Sequence, residues 1–164
     1  MKIWQRFLMG FGNNFPIKIR IKCFKLAGMK IGSNPDISFG FYADRPEGIV
    51  IGDNCFFNHY IHLHNGNDKT AIISFGNSVY IGPEARFICA THEIGDETQR
   101  AGQNKYGSIM VEDGVWIGAG ATILPGVKIA RGGVIGAGAV VTKSTEPNGL
   151  YLGVPAKRVR DLEV

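Results

Sequence analysis

Aliphatic side chains recur every six residues across one stretch, at Val111, Ile117, Ile123, Ile129, Ile135 and Val141. A second track of smaller residues runs two positions earlier, at Val115, Ala121, Val127, Gly133 and Ala139. A period of six matches neither the 3.6 of an amphipathic helix nor the 2 of a half-wet strand. Fixed self-similarity marks a repeat architecture, and a six-residue repeat predicts a parallel β-helix. Each hexad forms one short flat side, and three hexads close a turn of a triangular prism. The aliphatic residue points inward, and the small residue sits where the corner leaves little room. Stacked coils then pair as neighbouring strands, about 4.8 Å apart.

The earlier chain keeps this rhythm less well. Ile31 and Ile37 are six apart, Phe39 to Gly48 interrupts, and the ladder resumes at Ile51, Phe57 and Leu63, shifted by two. Asn65 to Thr70 is polar and turn-like, after which Phe75, Ile81 and Phe87 follow. His92 to Ser108 carries Glu93, Asp96, Glu97, Arg100 and Lys105 with little apolar content, and reads as an exposed loop leaving one corner. Insertions into a regular prism are where function is expected. The first thirty residues predict a cap over the open end: a short helix from Met1 to Met9, ended by Gly10 to Asn14, then a second short amphipathic helix or an irregular basic segment from Ile17 to Gly28. Pro155 suits the first turn of a C-terminal helix over Ala156 to Leu162. The expected organisation is thus one domain: a cap at 1–30, coils at 31–154 with a loop at 92–108, and a helix at 155–164.

Cys23, Cys55 and Cys89 are odd in number and form no C-x-x-C pair, which points to reduced thiols and a cytoplasmic setting. No apolar run approaches the length of a membrane span, and the start lacks the pattern of a signal peptide. Charge is unevenly spread. Lys2, Arg6, Lys18, Arg20, Lys22, Lys25 and Lys30 stand in the first thirty residues without an acid, although the whole chain carries only +4. With Ile3, Trp4, Phe7, Leu8 and Phe11 beside them, these cations suit either a solvated cap or peripheral contact with an anionic membrane surface. No nucleic-acid module accompanies the charge, so no nucleic-acid partner is expected.

The words V-W-I-G-A-G-A-T-I-L-P-G-V-K-I at 115–129 and V-I-G-A-G-A-V-V-T-K at 134–143 resemble the hexapeptide-repeat acyltransferases, in their sugar O-acetyltransferase branch. The resemblance implies an all-β fold, a single-stranded left-handed parallel β-helix, although parallel crossovers in general take the opposite hand. It further implies a homotrimer with active sites between subunits, acetyl-CoA as co-substrate, and no required metal. The reaction it implies is O-acetylation of a saccharide hydroxyl, in cell-surface polysaccharide or lipopolysaccharide synthesis. The family's catalytic histidine falls on His92, in Cys89-Ala90-Thr91-His92-Glu93. An imidazole can take a hydroxyl proton near neutral pH as the oxygen attacks a thioester. Asn58 matches an acceptor-binding asparagine, Asp68 lies near an acceptor carboxylate of the family, and the adjacent Glu93 can orient the acceptor. For the cofactor, Ala119 and Ala137 are small where the pantetheine arm passes, and Trp116 walls the reactive end. Thr142, Lys143, Lys157 and Arg160 match positions that approach phosphates or nucleotide, where cations suit the charge.

Two other readings stay open on the sequence. His59, His62 and His64 lie within six residues, and their spacing is similar to the zinc ligands of gamma-class carbonic anhydrases. A prism of this kind can also serve as a non-catalytic trimeric scaffold.

Overall fold

A computed structural model describes residues 2–163; Met1 and Val164, the outermost residues of the expected cap and C-terminal helix, lie outside the described residues. The ladder falls on three parallel sheets visited in turn. Face A takes Lys30–Ile31, Ile49–Ile51, Ile73–Phe75, Ile109–Val111 and Lys128–Ile129. Face B begins with Asp36–Ile37, Phe56–Phe57, Tyr80–Ile81, Trp116–Ile117 and Val134–Ile135; face C holds Tyr42–Ala43, His62–His64, Arg86–Ile88, Thr122–Ile123 and Val140–Val141. Pairing holds the expected register: Ile117 lies beside Ile81 and Ile135, and Trp116 beside Tyr80 and Val134. Ile117 is fully buried while Trp116 is 58% exposed, so one strand presents opposite faces to core and surface.

Phenylalanines fill the first coils as a column. Phe57 meets Phe75 edge-on at 4.9 Å, and Phe75 meets Phe87 at 5.0 Å, the offset geometry that aromatic rings prefer. Aliphatic residues fill the later coils. Where a glycine follows a ladder residue of face B, close approach requires it: a Cβ on Gly82 would lie 2.6 Å from the Ala119 nitrogen, and one on Gly118 2.5 Å from the Ala137 nitrogen. At the A–B corner each coil caps its neighbour. The Ser33 amide donates to Asp53 Oδ1 at 2.6 Å, the Asp53 amide to Asn77 Oδ1 at 2.9 Å, and the Asn77 amide to Asp113 Oδ1 at 2.7 Å.

The lengthened steps in the first three coils all fall at one corner, between faces C and A. The steps from Ala43 to Ile51, Leu63 to Phe75 and Phe87 to Val111 are 8, 12 and 24 residues, whereas Ile123 to Ile129 is the bare 6. The stretch Phe39 to Gly48 therefore interrupts less than its sequence suggests: Ala43 is a buried rung, and a 3-10 turn at Pro46–Gly48 takes up the two extra residues. Buried Arg45 ties this turn to the next insertion, donating to the Asp68 carbonyl at 2.7 Å and to the Ala71 carbonyl. The third insertion, expected as an exposed loop, is an antiparallel hairpin, Ala90–Ile94 with Ala101–Tyr106.

Two further expectations are corrected. The first helix, α1 (Ile3–Asn13), runs through Gly10 to Asn13 instead of ending there, because Gly12 sits where α1 meets α2 (Ile17–Leu26). A Cβ on Gly12 would approach Cys23 Cβ to 2.9 Å, so the crossing selects glycine over helix propensity. The C-terminal helix at 155–164 does not form. Lys157–Asp161 is instead an antiparallel strand on Gly149–Leu152, which ends the parallel stack of face B. That edge would otherwise present unpaired backbone groups. Arg158 fixes the return, donating to Tyr151 Oη and the Pro147 carbonyl and pairing with Asp161 at 2.6 Å. At the other end, Met9 and Phe24 join the core, with Phe24 5.5 Å from Phe41.

Candidate active site

His92 stands on the first strand of the hairpin, exposed, two residues beyond the prism wall. Its Nδ1 lies 3.0 Å from the Gly102 carbonyl oxygen on the facing strand. A carbonyl oxygen only accepts, so Nδ1 carries the proton and donates it. In the neutral imidazole Nε2 then keeps its lone pair, the state a general base needs.

The hairpin's orientation follows from Gly66, in the neighbouring insertion. A Cβ built there would meet Tyr106 Cε1 at 2.9 Å and Ala90 Cβ at 3.4 Å. Residues two apart on a strand share a face. His92 therefore projects from the same side of the ribbon as Ala90, together with its cross-strand neighbour Asn104. Glu93 takes the other side and pairs with Lys105 Nζ at 2.9 Å. It does not share the face of His92.

Beside Gly66 opens a pocket of about 440 Å³ lined by Arg6, Tyr42, Asp44, Gly66 and Asn67. Asp44 is its hub. Burial pushes the Asp44 carboxyl upward, but hydrogen bonds from His64 and Tyr42 and the Gly66 amide outweigh this and hold it below the usual carboxylate range. His64 Nδ1 approaches Asp44 Oδ2 to 3.4 Å, and the Gly66 amide donates to the same oxygen at 3.4 Å. Burial, then the neighbouring His64 and Arg86, lowers the His62 imidazole and favours its neutral form. Of this cluster the sequence points only to His62 and His64, as candidate metal ligands; Tyr42, Asp44 and Asn67 are not singled out there. Its signal is the spacing of Tyr42 and His62, one position before successive rungs of face C.

The histidines of the metal reading do not converge. His62 and His64 stack at 5.7 Å on face C, while His59 lies against Phe39 at 4.2 Å near the preceding corner. Asn58 sits half-buried at that same B–C corner, its Oδ1 accepting from the His59 amide at 2.8 Å. Asp68 lies on the C–A side with the hairpin, but its Oδ1 already accepts from the Thr70 amide and hydroxyl, each at 2.7 Å.

The residues matched to the cofactor are spread over the later coils and the final strand. Trp116 projects from face B, and Ala119 and Ala137 are exposed on the B–C corner, where the Gly138 amide donates to the Ala119 carbonyl at 2.8 Å. Beside them a Cβ on Gly120 or Gly138 would meet nothing within 4 Å. The corner is thus a bare strip that larger side chains would fill, and it fits a thin extended arm. Thr142 and Lys143 are exposed just beyond the last strand of face C, and Lys157 and Arg160 on the final strand of face B. Among the described residues no hydrogen bond joins these positions, or Asn58, to His92 within one chain.

Residues 108–143 match the model of the bacterial transferase hexapeptide, six repeats. The galactoside O-acetyltransferase of Lactococcus lactis is 34% identical over 127 residues, covering 77% of this chain and 59% of that protein. A galactoside acetyltransferase in complex with coenzyme A superposes with a TM-score of 0.86 at 27% identity, over 97% of this chain and 79% of that one. A hexapeptide-repeat acetyltransferase of Vibrio cholerae, complexed with acetyl coenzyme A, gives 0.84 at 27% identity, over 98% and 88%. The chain spans between 45% and 63% of the length of the first curated relatives it matches.

Proposed function

The chain belongs with the hexapeptide-repeat acyltransferases of the sugar O-acetyltransferase branch, and on that premise we propose that it moves an acetyl group from acetyl-CoA to a saccharide hydroxyl, with His92 as general base. The observation that carries this reading is the Nδ1–H bond of His92 to the Gly102 carbonyl, which leaves Nε2 able to take the hydroxyl proton. Acetyl-CoA supplies the activated acetyl group as a thioester. The bare strip at Ala119, Gly120, Ala137 and Gly138 receives its arm, Trp116 walls it, and Lys143, Lys157 and Arg160 meet its phosphates, with Thr142 beside them. The pocket of Tyr42, Asp44 and Asn67 suits a polyhydroxyl acceptor: a carboxylate and an amide for hydroxyls, and an aromatic ring for the sugar's apolar face.

Trp116 on face B and the bare strip at the B–C corner stand away from the hairpin at the C–A corner, which supports a homotrimer, because a neighbouring prism can bring that strip to His92. Asn58 then also reaches the acceptor from across the interface. In this reading the prism is left-handed, and the enzyme works in the cytoplasm on precursors of cell-surface polysaccharide or lipopolysaccharide. The test is thermal unfolding with millimolar acetyl-CoA. A ligand selective for the native state raises the midpoint. A rise, followed by thiol release on adding saccharide acceptors, supports the reading; no rise with acetyl-CoA would sink it.

A further inference from the structure

The α1–α2 pair carries a surface that the prism does not use. Gln5, Met9 and Gly12 form the buried side of α1. The opposite side exposes Ile3 at 90%, Trp4 at 49%, Phe7 at 64% and Phe11 at 42%. Ile3, Phe7 and Phe11 are spaced by four residues, so they form one outward stripe. The rings of Phe7 and Phe11 stack at 5.4 Å, and Phe15 continues the row 4.4 Å from Phe11. A helix that is apolar on both sides has a second partner besides its own core.

The neighbouring helix names that partner by charge. On α2, Cys23 and Phe24 are buried, and Lys18, Lys22 and Lys25 are exposed at spacings of four and three, flanked by Ile19 and Leu26. Residues 1–30 contain no Asp or Glu. Arg20 is spent internally, donating to the Ile37 carbonyl at 2.6 Å and the Phe15 carbonyl at 2.9 Å, whereas the three lysines have no ion-pair partner among the described residues. A second copy placed face to face would set these lysines against their own images. A sheet of anionic headgroups over an acyl layer satisfies both the apolar stripe and the lysine row. No helix among the described residues is long and apolar enough to cross a membrane, so the contact is superficial.

We propose that α1 and α2 form a docking surface for an anionic phospholipid bilayer. Ile3, Trp4, Phe7 and Phe11 enter the headgroup–acyl boundary, and Lys18, Lys22 and Lys25 lie over the phosphates. The proposal does not depend on the acceptor or on catalysis.

The experiment is co-sedimentation of the full chain with vesicles of phosphatidylcholine alone or with phosphatidylglycerol, at low and high salt. Binding is expected only to the anionic vesicles, weakened by salt. Replacing Lys18, Lys22 and Lys25 together with Gln should lower partitioning on the order of 100-fold, and Phe7→Ser with Phe11→Ser should lower it as well. All these positions are exposed, so the thermal midpoint reports whether each variant remains folded. Equal binding to neutral vesicles, or none to anionic ones, overturns the proposal. So does a loss of oligomeric mass in the phenylalanine variant without any vesicle binding by the parent, since a second copy would then cover this face.

Discussion

Nδ1 of His92 lies 3.0 Å from the carbonyl oxygen of Gly102, across the hairpin that leaves the C–A corner. The facing strand therefore sets the tautomer of the imidazole as well as its direction. His92→Ala is expected to lower acetyl transfer by roughly 10²–10⁴ while leaving the acetyl-CoA-induced thermal shift intact. Thiol release with a saccharide acceptor, beside the thermal shift, measures both. Full activity in this variant would refute the base assignment.

Asp44 links the pocket beside Gly66 to stability in acid. Its carboxyl lies below the usual range, so its native-state protonation lags that of the unfolded chain. The stabilisation is complete above the unfolded value of about 3.9 and is lost as pH falls through the folded value. Asp44→Asn should flatten the acid side of a plot of thermal midpoint against pH as pH falls below about 5. An unchanged slope would show that the hydrogen bonds to His64 and Tyr42 are not maintained in solution.

Cys89 is fully buried beneath the base of the hairpin, and burial pushes its thiol up to about 11. The thiolate is the reactive form. Native protein should therefore leave Cys89 unmodified by iodoacetamide at pH 8, with labelling appearing only on unfolding, as peptide mass mapping would record. The raised value also has a consequence for stability. It favours the native state below the ordinary thiol range near 8.5 and weakens that preference as pH rises toward 11.

Phe57 has no exposed surface and holds the centre of the aromatic column between Phe41 and Phe75. Phe57→Ala should cost about 3–5 kcal/mol, read from denaturant midpoints at constant slope. A cost below about 1 kcal/mol would mean that the neighbouring rings collapse into the space.

The inward rungs were legible because each is set by local repetition: Val111 to Val141 needs only its own spacing to be placed. What escaped was set by contacts between distant segments. Ala43 is too small to stand out as a rung, so the first coil looked broken although its register holds. The hairpin strands Ala90–Ile94 and Ala101–Tyr106 are largely wet on both sides and show no alternation to betray them. Lys157–Asp161 is a strand because the edge at Gly149–Leu152 needs a neighbour, which no local propensity encodes. The pocket joins Arg6, Tyr42, Asp44 and Asn67 across sixty residues, through stacking of coils whose lengths differ. His92 is proposed as the base on the strength of its surrounding words, whereas its bond to Gly102 is seen only in the hairpin.

The uneven steps at the C–A corner divide the labour of the molecule. Each insertion starts and ends on rungs already fixed by their neighbours, so its length hardly bears on the register of the stack. Doubling a flexible loop costs only about 0.6 kcal/mol in closure entropy. The insertions hold one another, through Arg45 and through Gly66 against Tyr106, so they vary together as one unit while the phenylalanine column stays untouched. The prism is a chassis with one socket, and selection can act on the socket without renegotiating the frame.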